Sequence, residues 1–595
     1  MTETPQVTWN IHDLYSSVDD PKIDRDLDDV EGRARQFSER YRGRVSALSS
    51  AEFAAALTEY EQILHEETFP GAFAQLLFSA DTLVPAHGAL MQHVQERAVA
   101  IANHLLFFDL EVIEIPDDRF TIFLTNPTVA EYRHYLEEKR ITRPHRLSEP
   151  EERILLEKST TSHDAFSRLF DEVVNSSTFS MTVNGETTQM TEAEILSKLH
   201  DASREIRAAA AEGITNGLRE KSRIYTFITN TLAYDKSVED RLRHFPHPEA
   251  NRHLDDEVDT ETVHTMISAC TDHFGTVARY YRLKREILGL PTLYHYDRYA
   301  PISLEERQIP WEDARRMVEE SYTNFAAEVG EKIQQFFVQR WIDAEVRPGK
   351  RGGAFCMGIA PDWHPYVLTN FLGKPRDVMT LAHELGHGIH DLYAADQHYL
   401  QYYPSLAAAE TASVFGEMLT FRDLMAHTAS PRERLALLTG KVEDIFATVF
   451  RQTAMYRFEQ ELHTARRERG ELPQEAISEI WQRNIQAMFG DSVEMGEGHQ
   501  VWWMYIPHFI HTPFYVYAYA FGQLLVMALY ARYREEGPSF VPHYLDILRA
   551  GGSARPADIM ARAGIDIRQR SFWDGGLRMI DALVSEAETA WHEMA

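Results

Sequence analysis

Apolar residues recur at helical spacing along most of the 595 residues, and this periodicity constrains the fold more than any other feature. Two helix starts are marked by capping boxes, in which a serine or threonine stands three residues before a glutamate. The pairs are Ser148 with Glu151 and Thr191 with Glu194. The sequence therefore predicts a mainly α protein.

Two segments depart from this periodicity. Residues 179–190 flank Asn184-Gly185, a pair suited to a type I′ turn, and predict a small β-hairpin. Residues 351–370 contain a glycine pair and the β-rich run HPYVLTNF, and predict a second small sheet element.

The hairpin is expected to close an N-terminal helical lobe at residues 1–190. A longer helical lobe follows at residues 191–595. No low-complexity linker or repeat separates the two, so we expect them to pack tightly rather than swing freely.

The chain carries 60 Lys and Arg against 91 Asp and Glu, a formal net charge of −31. This charge repels nucleic-acid phosphates and anionic lipid headgroups, and no basic patch is visible, so we expect neither nucleic acid nor membrane as a partner. Residues 514–531 are apolar, but four tyrosines, Gly522 and Gln523 interrupt them. A buried helix is favoured there over a membrane span.

Only two cysteines occur, Cys270 and Cys356, which excludes a disulfide framework and a cysteine-based zinc site. The N-terminal residues lack a basic stretch followed by an apolar one, so a cleaved export signal is not expected. Both features favour the cytoplasm. The oligomeric state is left open.

The motif that carries chemistry is His383-Glu384-Leu385-Gly386-His387, an HExxH arrangement. Helical residues four apart lie on one face, about 5–6 Å apart, so both imidazoles can bind one metal ion with Glu384 beside it. Pro375 and Asp377 mark a helix start. An apolar stripe is expected to pack inward, and it consists of Val378, Leu381, Leu385, Ile389 and Leu392.

With 27 histidines in the chain, two ordinary histidines on a polar helix face are the alternative. A catalytic zinc usually takes three protein ligands and leaves one position for water, so a third donor is needed. His390 lies on the same helix face, but three ligands from one straight helix would crowd one side of the metal. Glu410, expected on a second helix 23 residues after His387, would approach from a new direction.

Geometry therefore favours Glu410 over His390 as the third ligand. Small residues around Glu410 would let the two helices approach closely, and they are Ala407, Ala408, Ala409 and Ala412. Glu417, two turns beyond, is either a residue that orients a histidine or an ordinary surface glutamate.

Further segments extend the pattern in order over about residues 350–525, and they are RGGAFC, HPYVLTNF, RDVMTLAHELGHGIH, AAETASVFGEML and PHFIHTPFYVYAYAFG. With NRHLDD at 251–256, the chain resembles the oligoendopeptidase F and thimet oligopeptidase family of zinc metallopeptidases, in its oligoendopeptidase F-like branch. The resemblance covers most of the chain. It implies two helical lobes that flank a deep channel, one zinc ion at the channel floor, and short unstructured peptides as substrates.

In that family the third ligand is the glutamate that matches Glu410. A histidine and tyrosines on a C-terminal segment stabilise the transition state and hold the peptide, and by similarity they are His508, Tyr515 and Tyr519. The spacing from histidine to first tyrosine is wider here than in the thimet branch, so His511 remains an alternative to His508. Core packing on a buried helix is the other explanation of these aromatic residues.

The expected activity is hydrolysis of internal peptide bonds by metal-activated water. Glu384 accepts the proton, and His508 and Tyr515 stabilise the oxyanion. HPYVLTNF is expected to be an edge strand to which an extended substrate adds, lined by Tyr366 and Asn370, with Tyr519 as a further substrate contact.

Two other functions remain open. A zinc carboxypeptidase also uses HExxH with a downstream glutamate, but it needs a basic residue for the terminal carboxylate. A non-catalytic peptide-binding scaffold would have no use for Glu384. Zinc itself is inferred from His/His/Glu ligation, since cobalt or manganese can occupy similar sites.

Overall fold

Helices form most of the chain in the computed structural model, which describes residues 7–302, 308–405 and 408–594. The prediction of a mainly α protein is confirmed. The chain forms two compact units, each built from three segments. The first consists of Met1–Pro144, Glu306–Leu424 and Arg532–Ile565, and the second of His145–Glu305, Met425–Ala531 and Asp566–Ala595.

Neither unit ends at residue 190, because each chain half contributes to both units. The division into 1–190 and 191–595 stays a prediction.

The first unit is built from long and short helices. Its α-helices are Pro21–Tyr41, Ser50–Ala80, Pro85–Glu114, Asp117–Phe123, Pro127–Glu131, Arg133–Ile141, Trp311–Phe325, Ala327–Val338, Pro375–Ala394, Val541–Arg549 and Pro556–Arg562. Its 3₁₀ helices are Val45–Ala47, Tyr399–Gln401, Ala409–Thr411 and Gly537–Phe540.

The second unit is also helical. Its α-helices are Glu149–Ser159, His163–Asn175, Glu192–Ser197, Arg204–Glu220, Ser222–Leu242, Ala250–Asp255, Thr260–Asp272, Phe274–Ile287, Pro431–Thr448, Phe450–Arg469, Gln474–Phe489, His508–His511 and Arg570–His592. Its 3₁₀ helices are Lys198–His200, Asp297–Tyr299 and Gly498–Tyr505. Helices that continue in sequence across a unit boundary are Arg143–His145, Ser413–His427 and Tyr517–Glu536.

Both predicted capping boxes are present. The backbone N–H of Ser148 donates to Glu151 Oε2 at 2.9 Å, and that of Thr191 donates to Glu194 Oε2 at 2.8 Å. In each case the glutamate satisfies a donor that the first helical turn leaves without a partner.

The predicted hairpin is also present. Strands β1 (Phe179–Val183) and β2 (Glu186–Met190) pair antiparallel. Asn184 and Gly185 have φ angles of 52° and 81°, as the two central positions of a type I′ turn require.

The second sheet element lies in the first unit, and its strands are β3 (Ile342–Asp343), β4 (Phe355–Met357) and β5 (Tyr366–Leu368), in the order β3-β5-β4. Strand β5 is parallel to β3 and antiparallel to β4. The prediction that HPYVLTNF forms an edge strand is wrong, because β3 occupies the side of β5 that faces away from β4. The edge next to the metal-site helix described below is β4.

The apolar segment near residue 520 forms the helix Tyr517–Glu536, and its residues from Tyr517 to Tyr530 are mostly buried. The expectation of a buried helix is confirmed. Among the described residues, no helix combines the length and apolar character needed to cross a membrane.

Candidate metal centre

The HExxH motif lies on the helix Pro375–Ala394, as predicted. The Asp377 carboxylate fixes its first turn by accepting from the backbone N–H groups of Leu372 at 2.8 Å and Lys374 at 3.0 Å. The apolar stripe anchors the opposite face, with Leu392 half-buried and the other members buried. The two motif histidines are about one-quarter exposed, at 27% and 26%.

The rings of His383 and His387 lie 5.0 Å apart, one helical turn from each other. Glu410 Oε2 is 3.4 Å from Nε2 of His383 and 3.7 Å from Nε2 of His387. One ligand atom from each of the three residues lies within 4.8 Å of the others. In the described part of the chain, no other group of three His, Cys, Asp or Glu residues converges in this way. Two imidazole nitrogens and one carboxylate oxygen are the donor set of a hydrolytic zinc site.

Glu410 lies in the short 3₁₀ helix Ala409–Thr411. The sequence predicts a regular helix at this residue, and that prediction is wrong in the type of helix. The α-helix begins only at Ser413. The Ser413 hydroxyl donates to Glu410 Oε2 at 2.6 Å and also lies 3.2 Å from the Glu410 carbonyl oxygen. A serine that bonds to nearby backbone in this way competes with helical hydrogen bonds, which explains the late start.

A glycine inside the motif allows this segment to lie against the helix. A Cβ on Gly386 would be 2.4 Å from the carbonyl oxygen of Ala412 and 2.5 Å from Cα of Ser413. The sequence predicts that alanines around Glu410 allow this close approach. Ala408 and Ala412 are buried there, whereas Ala407 lies outside the described residues.

Glu384 is buried, with 7% of its surface exposed. Burial raises the pKa of Glu384 to about 7. A positive charge on His383 opposes this rise, and the negative charge of Glu410 adds to the rise. The backbone of Cys356 in β4 also opposes the rise in pKa, to a smaller extent. A carboxylate with a pKa near 7 exchanges protons readily at neutral pH.

The two motif histidines differ in their electrostatics. Burial alone would lower the pKa of His383, but its hydrogen bond to Glu417 and the charges of Glu410 and Glu417 raise it overall. Burial lowers the pKa of His387 to about 4, against the attraction of Glu410. His387 is therefore neutral at pH 7, which is the form of imidazole that binds metal.

His390 does not belong to the group of metal-binding atoms. Its side chain is buried, with 4% exposed, and burial lowers its pKa to about 3. A buried neutral histidine on the packed side of the helix has the character of a core residue.

Residues 197–579 match the family model of peptidase family M3, and residues 111–179 match that of Oligopeptidase F. The first match spans more than half of the chain. This chain belongs to peptidase family M3. The resemblance to oligoendopeptidase F is confirmed, and so is the prediction of a metal-dependent endopeptidase that acts on oligopeptides.

This M3 peptidase is similar along most of its length to curated bacterial relatives. It is 26% identical to group B oligopeptidase PepB of Streptococcus agalactiae, over 91% of this chain and 90% of the relative. It is also 26% identical to oligopeptidase PepF of Bacillus subtilis, over 98% of this chain and 87% of the relative.

Solved structures share its fold. A Chlamydophila abortus protein superposes with a TM-score of 0.89 at 22% identity, covering 99% of both chains. Oligoendopeptidase F from Enterococcus faecium superposes with a TM-score of 0.70 at 21% identity, covering 96% of this chain and 99% of the other.

The predicted C-terminal residues of this M3 peptidase lie together in the second unit. His508 Nε2 is 3.2 Å from the hydroxyl of Tyr519, and the rings of Tyr515 and Tyr519 lie 5.2 Å apart. Tyr519 is 38% exposed. His511 is directed elsewhere, because its Nε2 lies 2.8 Å from Asp171 Oδ1.

The predicted substrate contacts Tyr366 and Asn370 are engaged inside the first unit. Tyr366 in β5 is fully buried, and its hydroxyl donates to Asp13 Oδ1 at 2.6 Å. The Asn370 amide donates to the carbonyl oxygens of Arg351 at 3.0 Å and Gly353 at 2.8 Å. The ring of Tyr366 is therefore a core element, and Asn370 fixes the turn before β4.

Proposed function

We propose that His383, His387 and Glu410 hold the catalytic zinc of this M3 endopeptidase and that Glu384 is its general base. The observation that carries the proposal is the convergence of one atom from each ligand within 4.8 Å. The N, N, O donor set suits zinc in a tetrahedral site with one position left for water. The names of its relatives, oligopeptidases and oligoendopeptidases, support short peptides as substrates.

When bound, zinc polarises a peptide carbonyl and lowers the pKa of a water molecule towards about 7. The Glu384 carboxylate takes the proton that this water loses and returns it to the leaving amine. Its raised pKa suits both steps, since the group gains and loses a proton near neutral pH.

Strand β4 packs against the helix that carries the proposed base. Cys356 lies at the centre of β4, whose outer side has no strand partner among the described residues. We infer that an extended peptide adds to β4 through backbone hydrogen bonds, a mode of binding that reads side chains only weakly. The sequence predicts this role for β5, but within the described ranges β5 has a strand on each side and β4 does not.

We propose His508 and Tyr515 as the groups that stabilise the developing oxyanion and Tyr519 as a substrate contact, as the resemblance to oligoendopeptidase F implies. Burial and the nearby charge of Arg451 lower the pKa of His508, so the ring is neutral at pH 7 and carries one N–H. A neutral N–H or a tyrosine hydroxyl stabilises an oxyanion without adding a full charge to the resting site. The contact of His508 with Tyr519 supports His508 over His511 for this role.

A reducing compartment such as the cytoplasm fits the two cysteines. Cys270 and Cys356 are both free thiols, and Cys270 is fully buried. Intracellular conditions keep such thiols reduced.

The test is cleavage of an internally quenched peptide of about ten residues with both ends blocked, before and after chelation and after zinc is added back. We expect internal cuts that a chelator abolishes and zinc restores. Trimming of a free peptide, without cleavage of the blocked one, would favour an exopeptidase instead.

A further inference from the structure

A cavity of about 520 Å³ lies beside the edge strand β4 in the first unit. Its lining includes Gln75, Arg351, Phe355, Met357 and Tyr403. Arg351 is the charged side chain of this lining, to which no described carboxylate contributes. The cavity therefore presents one cation among neutral groups to a ligand that lies along β4.

The backbone of Arg351 is fixed at both of its polar groups. Its N–H donates to the carbonyl oxygen of Ser79 at 2.9 Å, and its carbonyl oxygen accepts from the Asn370 amide at 3.0 Å. Gly353, which follows with a φ of 81°, is held by the same amide. Arg351 itself is exposed, so its backbone is fixed while its side chain is accessible to solvent.

The guanidinium of Arg351 lies beside the side chain that begins β4. Its Cζ is 5.8 Å from the centre of the Phe355 ring. Phe355 is the first residue of β4 and directly precedes Cys356. A peptide that adds to β4 would therefore pass close to this positive charge.

Arg351 differs from the basic residues that precede it. Arg347 and Lys350 pair with Asp343 Oδ1 at 2.8 Å and 2.7 Å. No described carboxylate lies within ion-pair distance of Arg351. In a chain of net charge −31, an exposed guanidinium of this kind is available to an anion from outside the protein.

We propose that Arg351 selects peptides that carry a carboxylate over this cavity. The carboxylate is either the side chain of an Asp or Glu residue or the free C-terminus of the peptide. This inference rests on the proposed function, because β4 supplies the line along which the peptide binds. A guanidinium recognises a carboxylate through two parallel N–H donors, which gives both affinity and orientation.

The test uses blocked, internally quenched peptides of about ten residues in which Glu or Gln occupies one position, scanned along the peptide. A second pair differs only in a free or amidated C-terminus. The readout is the ratio of kcat/KM for the charged peptide to that for its neutral partner. At one position of the scan, we expect this ratio to exceed unity in the wild-type protein. In Arg351→Gln the ratio should fall about five- to tenfold, mainly because KM for the charged peptide rises.

Arg316→Gln is the matched control, since it removes the same charge from an exposed arginine of the same unit that pairs with Asp313. It should keep the wild-type ratio, and Arg351→Lys should restore part of the lost ratio. The pair with the larger ratio, internal Glu or free C-terminus, identifies the source of the carboxylate.

Equal ratios in wild type and Arg351→Gln, or an equal loss in Arg316→Gln, would overturn the assignment while leaving the endopeptidase intact. A wild-type protein whose cleavage of the neutral peptides resists chelation would instead overturn the proposed function, and the selectivity with it.

Discussion

The Glu417 carboxylate lies 3.4 Å from Nδ1 of His383, while Nε2 of the same ring lies 3.4 Å from the Glu410 carboxylate. The ring is thus held from one nitrogen and directed towards the proposed metal position with the other. A carboxylate on the far nitrogen fixes the tautomer of a metal-binding histidine and makes it a better ligand. We propose that Glu417 is a positioning residue that acts through His383.

Glu417→Gln should weaken zinc binding about 10- to 100-fold, because the substituted amide cannot hold the His383 N–H as a carboxylate does. Competition with a chelator of known affinity measures the change. Glu312→Gln, at an exposed helix start in the same unit, is the control and should bind zinc as wild type does. Unchanged zinc affinity in Glu417→Gln would leave the contact without a role in metal binding.

Glu410→Ala should retain less zinc after dialysis than His390→Ala. Glu410→Ala deletes one of three converging ligands, whereas His390→Ala deletes a buried ring outside the group. Metal analysis after dialysis gives the ranking. His390→Ala is expected to lower the unfolding free energy by about 1–3 kcal/mol, so both variants are compared well below their melting temperatures.

If His390→Ala lost zinc and Glu410→Ala kept it, with both variants folded by circular dichroism, the ligand assignment would be reversed. The site would then draw all three ligands from the helix Pro375–Ala394.

Gly386→Ala should disturb the site through packing alone. The new methyl group would meet backbone atoms at 2.4 Å and 2.5 Å, and the segment that carries Glu410 would have to move away from the helix. We expect a loss of about 1–3 kcal/mol in unfolding free energy and weaker zinc retention. Thermal unfolding and metal analysis on the same preparation measure both.

Gly32→Ala is the matched control. Gly32 lies within the helix Pro21–Tyr41, and a Cβ there would have no atom within 4 Å. Helix propensity alone then applies, and the change should stabilise the protein by up to about 1 kcal/mol. Equal effects of the two substitutions would show that the close approach at Gly386 carries no cost.

His508→Ala and His511→Ala separate the two C-terminal histidines. Loss of a group that stabilises the oxyanion should lower kcat about a hundredfold in His508→Ala. His511→Ala breaks an exposed pair with Asp171 and should leave kcat near the wild-type value. Steady-state kinetics on one blocked peptide compare them, and a larger loss in His511→Ala would exchange the two roles.

Local patterns predicted much of the fold. Capping boxes at Ser148 and Thr191, the Asn184-Gly185 turn and the helix of the HExxH motif depend on neighbours within a few residues, so the sequence reveals them directly. The pairing of Glu410 with the motif histidines was also accessible, because a tetrahedral metal site needs a ligand from a second direction.

Features that depend on residues far apart in the chain could not be predicted from the sequence. Whether β5 is an edge or a central strand depends on Ile342–Asp343, which is too short to stand out as a strand. The contact of Gly386 with Ala412 depends on the path of the intervening segment. A glycine inside an otherwise helical pattern was the available signal, since such a residue usually has a packing reason.

The most direct test of the account measures zinc content and cleavage of a blocked peptide on one preparation of Glu384→Gln. The three proposed ligands remain in this variant, so it should retain about one zinc per chain. The proton acceptor is lost, so kcat should fall by at least about a hundredfold. Near wild-type turnover with zinc bound would contradict the assignment of Glu384 as the general base.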